Sequence, residues 1–342
     1  MTAPVVHGAT VPGGSRAVPA DPPSRPTRRA WIAAIAVLVV LAAAPLFLAP
    51  FATTTLTRVL VFALFAVSLD LLVGVTGLPS LGHAAYFGSG AYAAGWVSIH
   101  VTSAIPVPLL VGAVFGALAA ALTGWITVRT HGVFFLMLTL AIGELVQQVA
   151  DTWETLTGGA NGMAGIPATR LAGQPLVNAG YLYWYVLAAF LVGFALLWLL
   201  SRSPFGEALR GIRDNEPRMR ALGYPTSLYK YAAFAGAGAG AGLAGALLAA
   251  QVRLVTPADL GFATAAFALL AVIIGGAGSL WGACLGAALV IVIRDALGPS
   301  LDGHGTLLLG VVFVLVVYLL PRGAAGLRLT RLSRLLRRAR SR

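Results

Sequence analysis

The sequence has few charged residues and a single cysteine. Asp, Glu, Lys and Arg make up 10% of its 342 residues, whereas soluble domains average about 25%. Apolar residues make up 58%, and the mean hydropathy is +0.88. Soluble packing cannot use so much apolar surface, so a soluble globular class is excluded. One cysteine, Cys284, excludes a disulfide framework or a thiolate metal site within one chain, and its Gly/Ala-rich surroundings indicate a small buried residue.

Motifs for catalysis are also missing. No GxxxxGK[ST] string supplies the lysine and hydroxyl of a P-loop, so this chain is not an ATPase. The four histidines outside the first 29 residues have no second ligand at i+3 or i+4, which argues against a metal site: His83, His100, His131 and His304. No GxSxG or HExxH string indicates a hydrolase. We therefore predict a protein that is not an enzyme and holds no metal or cofactor.

What the chain has in abundance is long apolar windows. A membrane-spanning helix needs roughly 20 such residues to cross about 30 Å of hydrocarbon. Unbroken apolar blocks favour helices over a barrel of alternating strands. The predicted fold class is an all-α, polytopic transmembrane helical bundle of about ten spans (8–10). The predicted spans are 31–50, 55–74, 81–99, 106–128, 132–150, 183–201, 229–250, 263–279, 280–297 and 305–321. Glycine-rich stretches around 77–99 and 275–297 leave broken or re-entrant helices open as an alternative.

The distribution of basic residues predicts the orientation. With both termini cytoplasmic, 19 of the 23 lysines and arginines lie on the inner side, as the positive-inside rule requires. The net charge of the chain, +12, therefore reflects topology and does not indicate nucleic-acid binding. The predicted organisation is a disordered cytoplasmic tail (1–29), a transmembrane domain (30–322) and a basic cytoplasmic tail (323–342), which is either an amphipathic helix on the inner leaflet or a solvated tail. Residues 151–182 form an extracytoplasmic loop, and residues 202–228 form a cytoplasmic loop.

The stretch SLGHAAYFGSGAYAAG, residues 80–95, is uncharged but carries several polar groups. A dinucleotide-binding loop is excluded because no strand precedes it and no ribose-binding acid follows at the proper distance. Two interpretations stay open for the polar side chains: they face a translocation path, or they join helices through hydrogen bonds. These side chains are Ser80, His83, Tyr86, Ser89 and Tyr92.

The cytoplasmic loop has arginines interleaved with acids and an apolar side. Asp214 and Asn215 are suited to cap a short helix, Pro217 is acceptable in its first turn, and Gly223 followed by Pro225 ends it. A short helix on the cytoplasmic face suits docking into a groove of a partner protein. An ordinary charged loop is the alternative.

Several ordered motifs resemble the permease subunits of ABC importers for branched-chain amino acids, of the hydrophobic-amino-acid-uptake type. They are GLPSLGHAAYFGSGAYAAG at 77–95, FFLMLTLAIGELV at 134–146, LTGGANGMAGIP at 156–167, EALRGIRDNEPRMRALGYPTSLYKYAAFAGAGAGAGLAGAL at 207–247, GGAGSLWGACLGAAL at 275–289 and LPRGAAGL at 320–327. The resemblance covers nearly everything between residues 60 and 327. It implies a multi-pass protein of the bacterial inner membrane that imports branched-chain or related hydrophobic amino acids.

The resemblance also implies partners and site residues. ATP is bound by separate ATPase subunits, and the other partners are a second homologous permease, an extracytoplasmic substrate-binding protein and membrane lipid. The ATPase contact falls on Asp214, Asn215, Glu216, Arg218, Ala221, Leu222 and Gly223. Pro217 departs from the family pattern, which has an aliphatic residue or alanine there. Asn161, in the glycine-rich outer segment, is expected at the external mouth, with a simple turn as the alternative.

Two other functions stay open. An ion-coupled secondary transporter predicts intramembrane acids and a pair of interrupted helices, and only the second is weakly suggested, by 77–95 and 275–290. A permease of the same ABC class for urea or amides is the other alternative.

Overall fold

The computed structural model describes residues 28–297 and residues 310, 311, 314 and 315. Residues 1–27 of the predicted N-terminal tail, most of the predicted span 305–321 and the predicted basic tail 323–342 lie outside the described residues. The first helix, α1 (Arg28–Phe47), is long and apolar and contains Pro45. It therefore starts at the last two residues of the segment predicted as a tail.

The rest of the described chain is almost entirely helical. Its helices are α2 (Pro50–Asp70), α3 (His83–His100), α4 (Val107–Thr127), α5 (Val133–Thr152), α6 (Glu154–Thr157), α7 (Ala179–Arg202), α8 (Pro204–Asp214), α9 (Glu216–Ala221), α10 (Thr226–Val252), α11 (Phe262–Gly275) and α12 (Leu280–Ile291). π-Helical turns continue α2 and α12 over Leu71–Thr76 and Val292–Leu297, and 3₁₀ turns cover Gly159–Asn161 and Pro257–Leu260. A two-stranded antiparallel hairpin, β1 (Arg170–Leu171) and β2 (Gln174–Pro175), lies in the loop before α7.

The helices of the structure confirm the coarse prediction of an all-α fold. Each predicted span from 55–74 to 280–297 overlaps one helix. Among the described residues, five helices are long and apolar enough to cross a membrane: α2 with its π turn, α4, α5, α7 and α10. By contrast, α3 has 18 residues and is not among these five, and α11 and α12 have only 14 and 12 residues. The number of spans and the side of each terminus stay predictions.

α2, α3 and α10 contribute the most buried residues to the core. The middle of α2 is buried on all sides, including Phe65 and Leu69. The contact of α10 with α3 depends on glycine, since a Cβ on Gly245 would overlap the backbone of Phe87. Such contacts let two helix backbones touch, which is the packing expected of the alternating Ala/Gly run at 235–242.

Connecting segments contact one another at each end of the helices. Ala104, in the connection before α4, forms a β-bridge with Arg170, and Met163 forms one with Val255. All three of these connections are predicted to be extracytoplasmic. At the opposite end, His131, between α4 and α5, contacts Glu216 of α9, and both are predicted to be cytoplasmic.

Candidate functional site

The predicted cytoplasmic loop begins with an amphipathic helix, α8. The hydroxyl of Ser203 caps its N-terminus by accepting a hydrogen bond from Gly206 N, and Pro204 occupies the first turn, where no backbone donor is needed. Leu209 and Ile212 are fully buried on one face of the helix. α8 is therefore held against the bundle by its apolar side, and its polar side faces outward.

The loop then bends at Asn215 and continues as α9. The backbone of Asn215 is extended, and its side chain accepts a hydrogen bond from Arg218 N at 3.0 Å. Pro217 lies in the first turn, and Gly223 follows the helix with a left-handed φ of 89°. The start and end of this helix are where the sequence predicts them. The sequence predicts one helix in this loop, whereas the structure has two, because the extended residue interrupts the backbone hydrogen bonds between them.

Six of the seven predicted partner-contact residues are exposed on this surface: Asp214, Asn215, Arg218, Ala221, Leu222 and Gly223. Leu222 is 64% exposed, which leaves an apolar side chain uncovered beside charged neighbours. Met219, on the opposite side of α9, packs against Gly211 of α8. The exposed face is suited to contact another protein.

Glu216 is the exception, because its carboxylate points into the protein. Oε2 lies 2.6 Å from Lys230 Nζ and 3.3 Å from His131 Nε2, and Oε1 accepts hydrogen bonds from Arg220 at 2.7 Å and Thr226 at 3.1 Å. The side chain of Glu216 is 16% exposed and that of Lys230 only 3%. The ion pair of Glu216 and Lys230, which we call the α9–α10 anchor, fastens the loop to the first turns of α10.

The electrostatics of the anchor favour a charged carboxylate. Partial burial alone raises the pKa of Glu216, but hydrogen bonds from Lys230, Arg220 and Thr226 and attraction to the ammonium outweigh it and lower the pKa to about 2. Lys230 is the only lysine among the 23 basic residues of the chain. The sequence interpretation did not identify it, although a lone lysine just beyond a charged loop is the signal that was available.

A second contact joins α8 to the end of α2. Nη1 of Arg213 donates a hydrogen bond to the carbonyl oxygen of Gly74, in the π turn after α2, and the aliphatic part of the side chain packs against Gly77. The same guanidinium donates to Asp214 Oδ1 at 3.2 Å. Arg213 was not among the predicted site residues. No local pattern identifies it, since its acceptor lies 139 residues away.

The predicted path residues on α3 lie between helices in this structure. His83 is fully buried, with Nε2 3.0 Å from Ser68 Oγ and its ring stacked on Phe65 of α2. The hydroxyl of Tyr86 lies 2.7 Å from Thr123 Oγ1 of α4. Both side chains therefore make polar contacts between helices, as the second interpretation of these residues predicts. A role in a translocation path stays a prediction.

The other predicted path residues differ from one another. Ser89 donates a hydrogen bond to a carbonyl of its own helix, Ala85 O, at 2.6 Å. The buried hydroxyls of Ser80 and Tyr92 have no hydrogen-bond partner in the part of the chain that the structure describes. Tyr92 lies in an apolar cluster on the predicted outer side that also contains Met163. Asn161 is exposed at the end of the 3₁₀ turn that precedes Met163 in the chain.

Within residues 28–297 and the four described positions beyond them, no group of three His, Cys, Asp or Glu side chains is placed to hold a metal ion.

Comparisons with known proteins give the chain a family context. A profile of the family described as "Branched-chain amino acid transport system / permease component" matches residues 51–320. The chain is similar to the high-affinity branched-chain amino acid transport system permease protein LivM of Salmonella typhimurium, with 27% identity over 312 residues that cover 84% of this chain and 73% of the relative. It is also 33% identical over 180 residues to the autoinducer 2 import system permease protein LsrC of Klebsiella pneumoniae, which is 50% of each chain. A solved structure, PsaBC from Streptococcus pneumoniae in complex with Fab, covers 83% of this chain and 97% of its own at 14% identity, with a TM-score of 0.45 that is too low to establish a shared fold.

Proposed function

The chain belongs to the family of branched-chain amino acid transport permeases, and from this membership we propose that it is the transmembrane subunit of an ATP-driven importer. It is a multi-pass membrane protein, and its relatives are transport permeases of bacterial inner membranes. In this proposal the chain catalyses no reaction and binds no cofactor. ATP is bound by separate ATPase subunits, and the substrate arrives from an extracytoplasmic binding protein.

The observation that carries the proposal is the pairing of an exposed face with an internal anchor in one short loop. Arg218 on α9 and Leu222 directly after it are exposed to a partner, while Glu216 fastens the same helix to α10. A partner that moves α9 would therefore move α10, which packs against α3 and α4 in the bundle. Such a link is what an ATPase needs to change the access to a transport path.

We assign Glu216 to this anchor and not to the surface that touches the ATPase. Its oxygens already hold four partners, and its side chain is mostly covered. Asp214, Asn215, Arg218, Ala221, Leu222 and Gly223 remain as the proposed ATPase contact. The proposed assembly includes a second permease subunit and surrounding lipid.

The proposed substrates are branched-chain or related hydrophobic amino acids. The support is the name of the family and of the LivM relative. Ser80, His83, Tyr86, Ser89, Tyr92 and Asn161 are the proposed path residues. For the buried ones, this role requires helix movement that uncovers them during the transport cycle.

The test is to purify the assembly through a tag on this chain and measure the ratio of ATPase subunits to permease. Leu222→Asp places a charge at the proposed contact, and we expect it to reduce that ratio severalfold. Leu171→Asp is the matched control, because it changes a leucine that is 55% exposed on the opposite, predicted outer side. Absence of any ATPase subunit from the unaltered assembly, or equal ratios for both variants, would overturn the proposal.

A further inference from the structure

The turn between α11 and α12 lies against the end of α2. These two short helices are joined by residues 276–279, where Gly276 and Gly278 have left-handed φ values of 97° and 88°. α12 packs on α2 as well as on α11. Glycine adopts this turn without strain, whereas other residues adopt it only with strain. The turn itself is bonded to α2, since Gly278 N donates a hydrogen bond to a side chain of that helix.

Asp70, the last residue of α2, holds this turn through a single directional contact. The side chain is fully buried, and Oδ1 accepts a hydrogen bond from Gly278 N at 2.7 Å. One turn further along, a Cβ on Gly74 would overlap the backbone of Gly278, so no side chain separates the two segments. Because close-packed groups transmit a displacement to their neighbours, we expect the turn at Gly278 to move together with the segment at Gly74.

Arg213 of α8, in the cytoplasmic loop, contacts the chain where Gly74 meets Gly278. It donates its hydrogen bond to the carbonyl oxygen of Gly74, the residue in contact with Gly278. The side chain of Arg213 is 38% exposed, whereas Leu209 and Ile212 are buried and hold α8 on the bundle. The hydrogen bond therefore adds a directional link that the packing of α8 does not need.

We propose that Asp70, Gly74, Arg213 and Gly278 form a positioning junction that passes displacement of the cytoplasmic loop to the α11–α12 pair. The inference rests on the proposed function, since the displacement originates in the ATPase subunits. The junction provides a second route beside the α9–α10 anchor. Movement of the loop reaches α10 through Glu216, and it reaches α11 and α12 through Arg213. Arg213 and Asp70 act through backbone groups and touch no substrate.

The experiment uses the assembly purified through a tag on this chain and reconstituted into proteoliposomes with its binding protein. Three quantities are measured: ATPase subunits per permease, ATP hydrolysed, and leucine taken up per ATP. For Arg213→Gln we expect an unchanged subunit ratio and leucine uptake per ATP that falls at least about fivefold, the lower end of typical coupling between sites. For Arg213→Lys, which keeps a charged donor, we expect uptake per ATP to return to within about twofold of the unaltered protein.

A matched pair at Asp70 tests the other half of the junction. Asp70→Asn keeps an oxygen to accept from Gly278 N and is expected to behave as the unaltered protein. Asp70→Ala removes the acceptor and is expected to lower leucine uptake per ATP as Arg213→Gln does. If the alanine variant does not fold, Arg213→Gln alone decides, because the Arg213 side chain is 38% exposed and the buried side chains of Leu209 and Ile212 still hold α8 on the bundle.

The outcomes separate this inference from the proposed function. Absence of ATPase subunits from the unaltered assembly would refute the proposed function itself. An unaltered assembly that works, with Arg213→Gln retaining full uptake per ATP, would overturn the junction alone. Loss of ATPase subunits from Arg213→Gln would also overturn it, by making Arg213 part of the contact surface.

Discussion

Replacing Glu216 by glutamine tests the α9–α10 anchor directly. The change keeps the size of the side chain but leaves the ammonium of Lys230, which is 3% exposed, without a charged partner. Removing one partner of a buried ion pair costs about 3–5 kcal/mol. Since Glu216 itself retains some exposure, we expect a loss at the lower end, about 3 kcal/mol of the free energy of unfolding.

Arg220→Gln is the matched control at the same carboxylate. Arg220 pairs with Glu216 at 2.7 Å, but its side chain is 55% exposed. Exposed helix pairs of this spacing contribute about 0.3–0.5 kcal/mol, so the control is expected to lose a small fraction of what Glu216→Gln loses. Lys230→Met completes a double-mutant cycle. The double variant Glu216→Gln/Lys230→Met has lost the ammonium of Lys230 together with its carboxylate partner, so no buried charge is left unpaired. We therefore expect it to be destabilised by less than the sum of the two single changes.

The assay is thermal unfolding of the detergent-purified protein, followed by tryptophan fluorescence. For a chain of 342 residues, a loss of about 3 kcal/mol corresponds to a fall of about 4 °C in Tm. Arg220→Gln is expected to shift Tm by less than about 1 °C. Equal shifts for the two variants, or additive losses in the cycle with Lys230→Met, would refute the assignment of Glu216 and Lys230 as a buried anchor.

Three further predictions concern pH and helix packing. Because the pKa of Glu216 is lowered from 4.5 to about 2, its charge stabilises the fold above pH 4.5, and this contribution is lost as the pH falls from about 4.5 toward 2. We therefore expect the difference in Tm between the unaltered protein and Glu216→Gln to be constant above about pH 5 and to shrink below it. A constant difference down to pH 3 would contradict this. Tyr86→Phe removes the hydrogen bond to Thr123 and is expected to cost about 1 kcal/mol by the same thermal assay, while an unchanged Tm would show that the bond adds no stability. Gly245→Ala places a methyl group against the backbone of Phe87 and is expected to cost about 1–3 kcal/mol or more, with wild-type stability as the contrary result.

The helices could be predicted from the sequence because the apolar windows are long and sharply bounded. Windows such as 106–128 and 229–250 match α4 and α10 to within three residues at each end. The cap at Asn215 and the end at Gly223 were also predictable, since local backbone chemistry decides both. The shape of the α11–α12 pair was less clear, because a glycine-rich apolar run is compatible with a full span and with two short helices.

The direction in which each loop side chain points could not be predicted from local sequence. Glu216 looks like one more acid in a charged loop, and its inward orientation depends on Lys230, which lies 14 residues further on, beyond a Gly-containing bend. Arg213 finds its acceptor on Gly74 only because helices separated by 139 residues pack together. The polar side chains of α3 were identified, but their neighbours on α2 and α4 decide whether they face one another or a cavity.

The most direct test of the account is uptake of radiolabelled leucine by proteoliposomes that contain the assembly purified through this chain. The binding protein is supplied outside and ATP inside. An ATP-driven permease predicts accumulation that requires ATP hydrolysis and is unaffected when an ionophore removes the proton gradient. Uptake that continues without ATP and collapses with the gradient would contradict the account and favour an ion-coupled transporter.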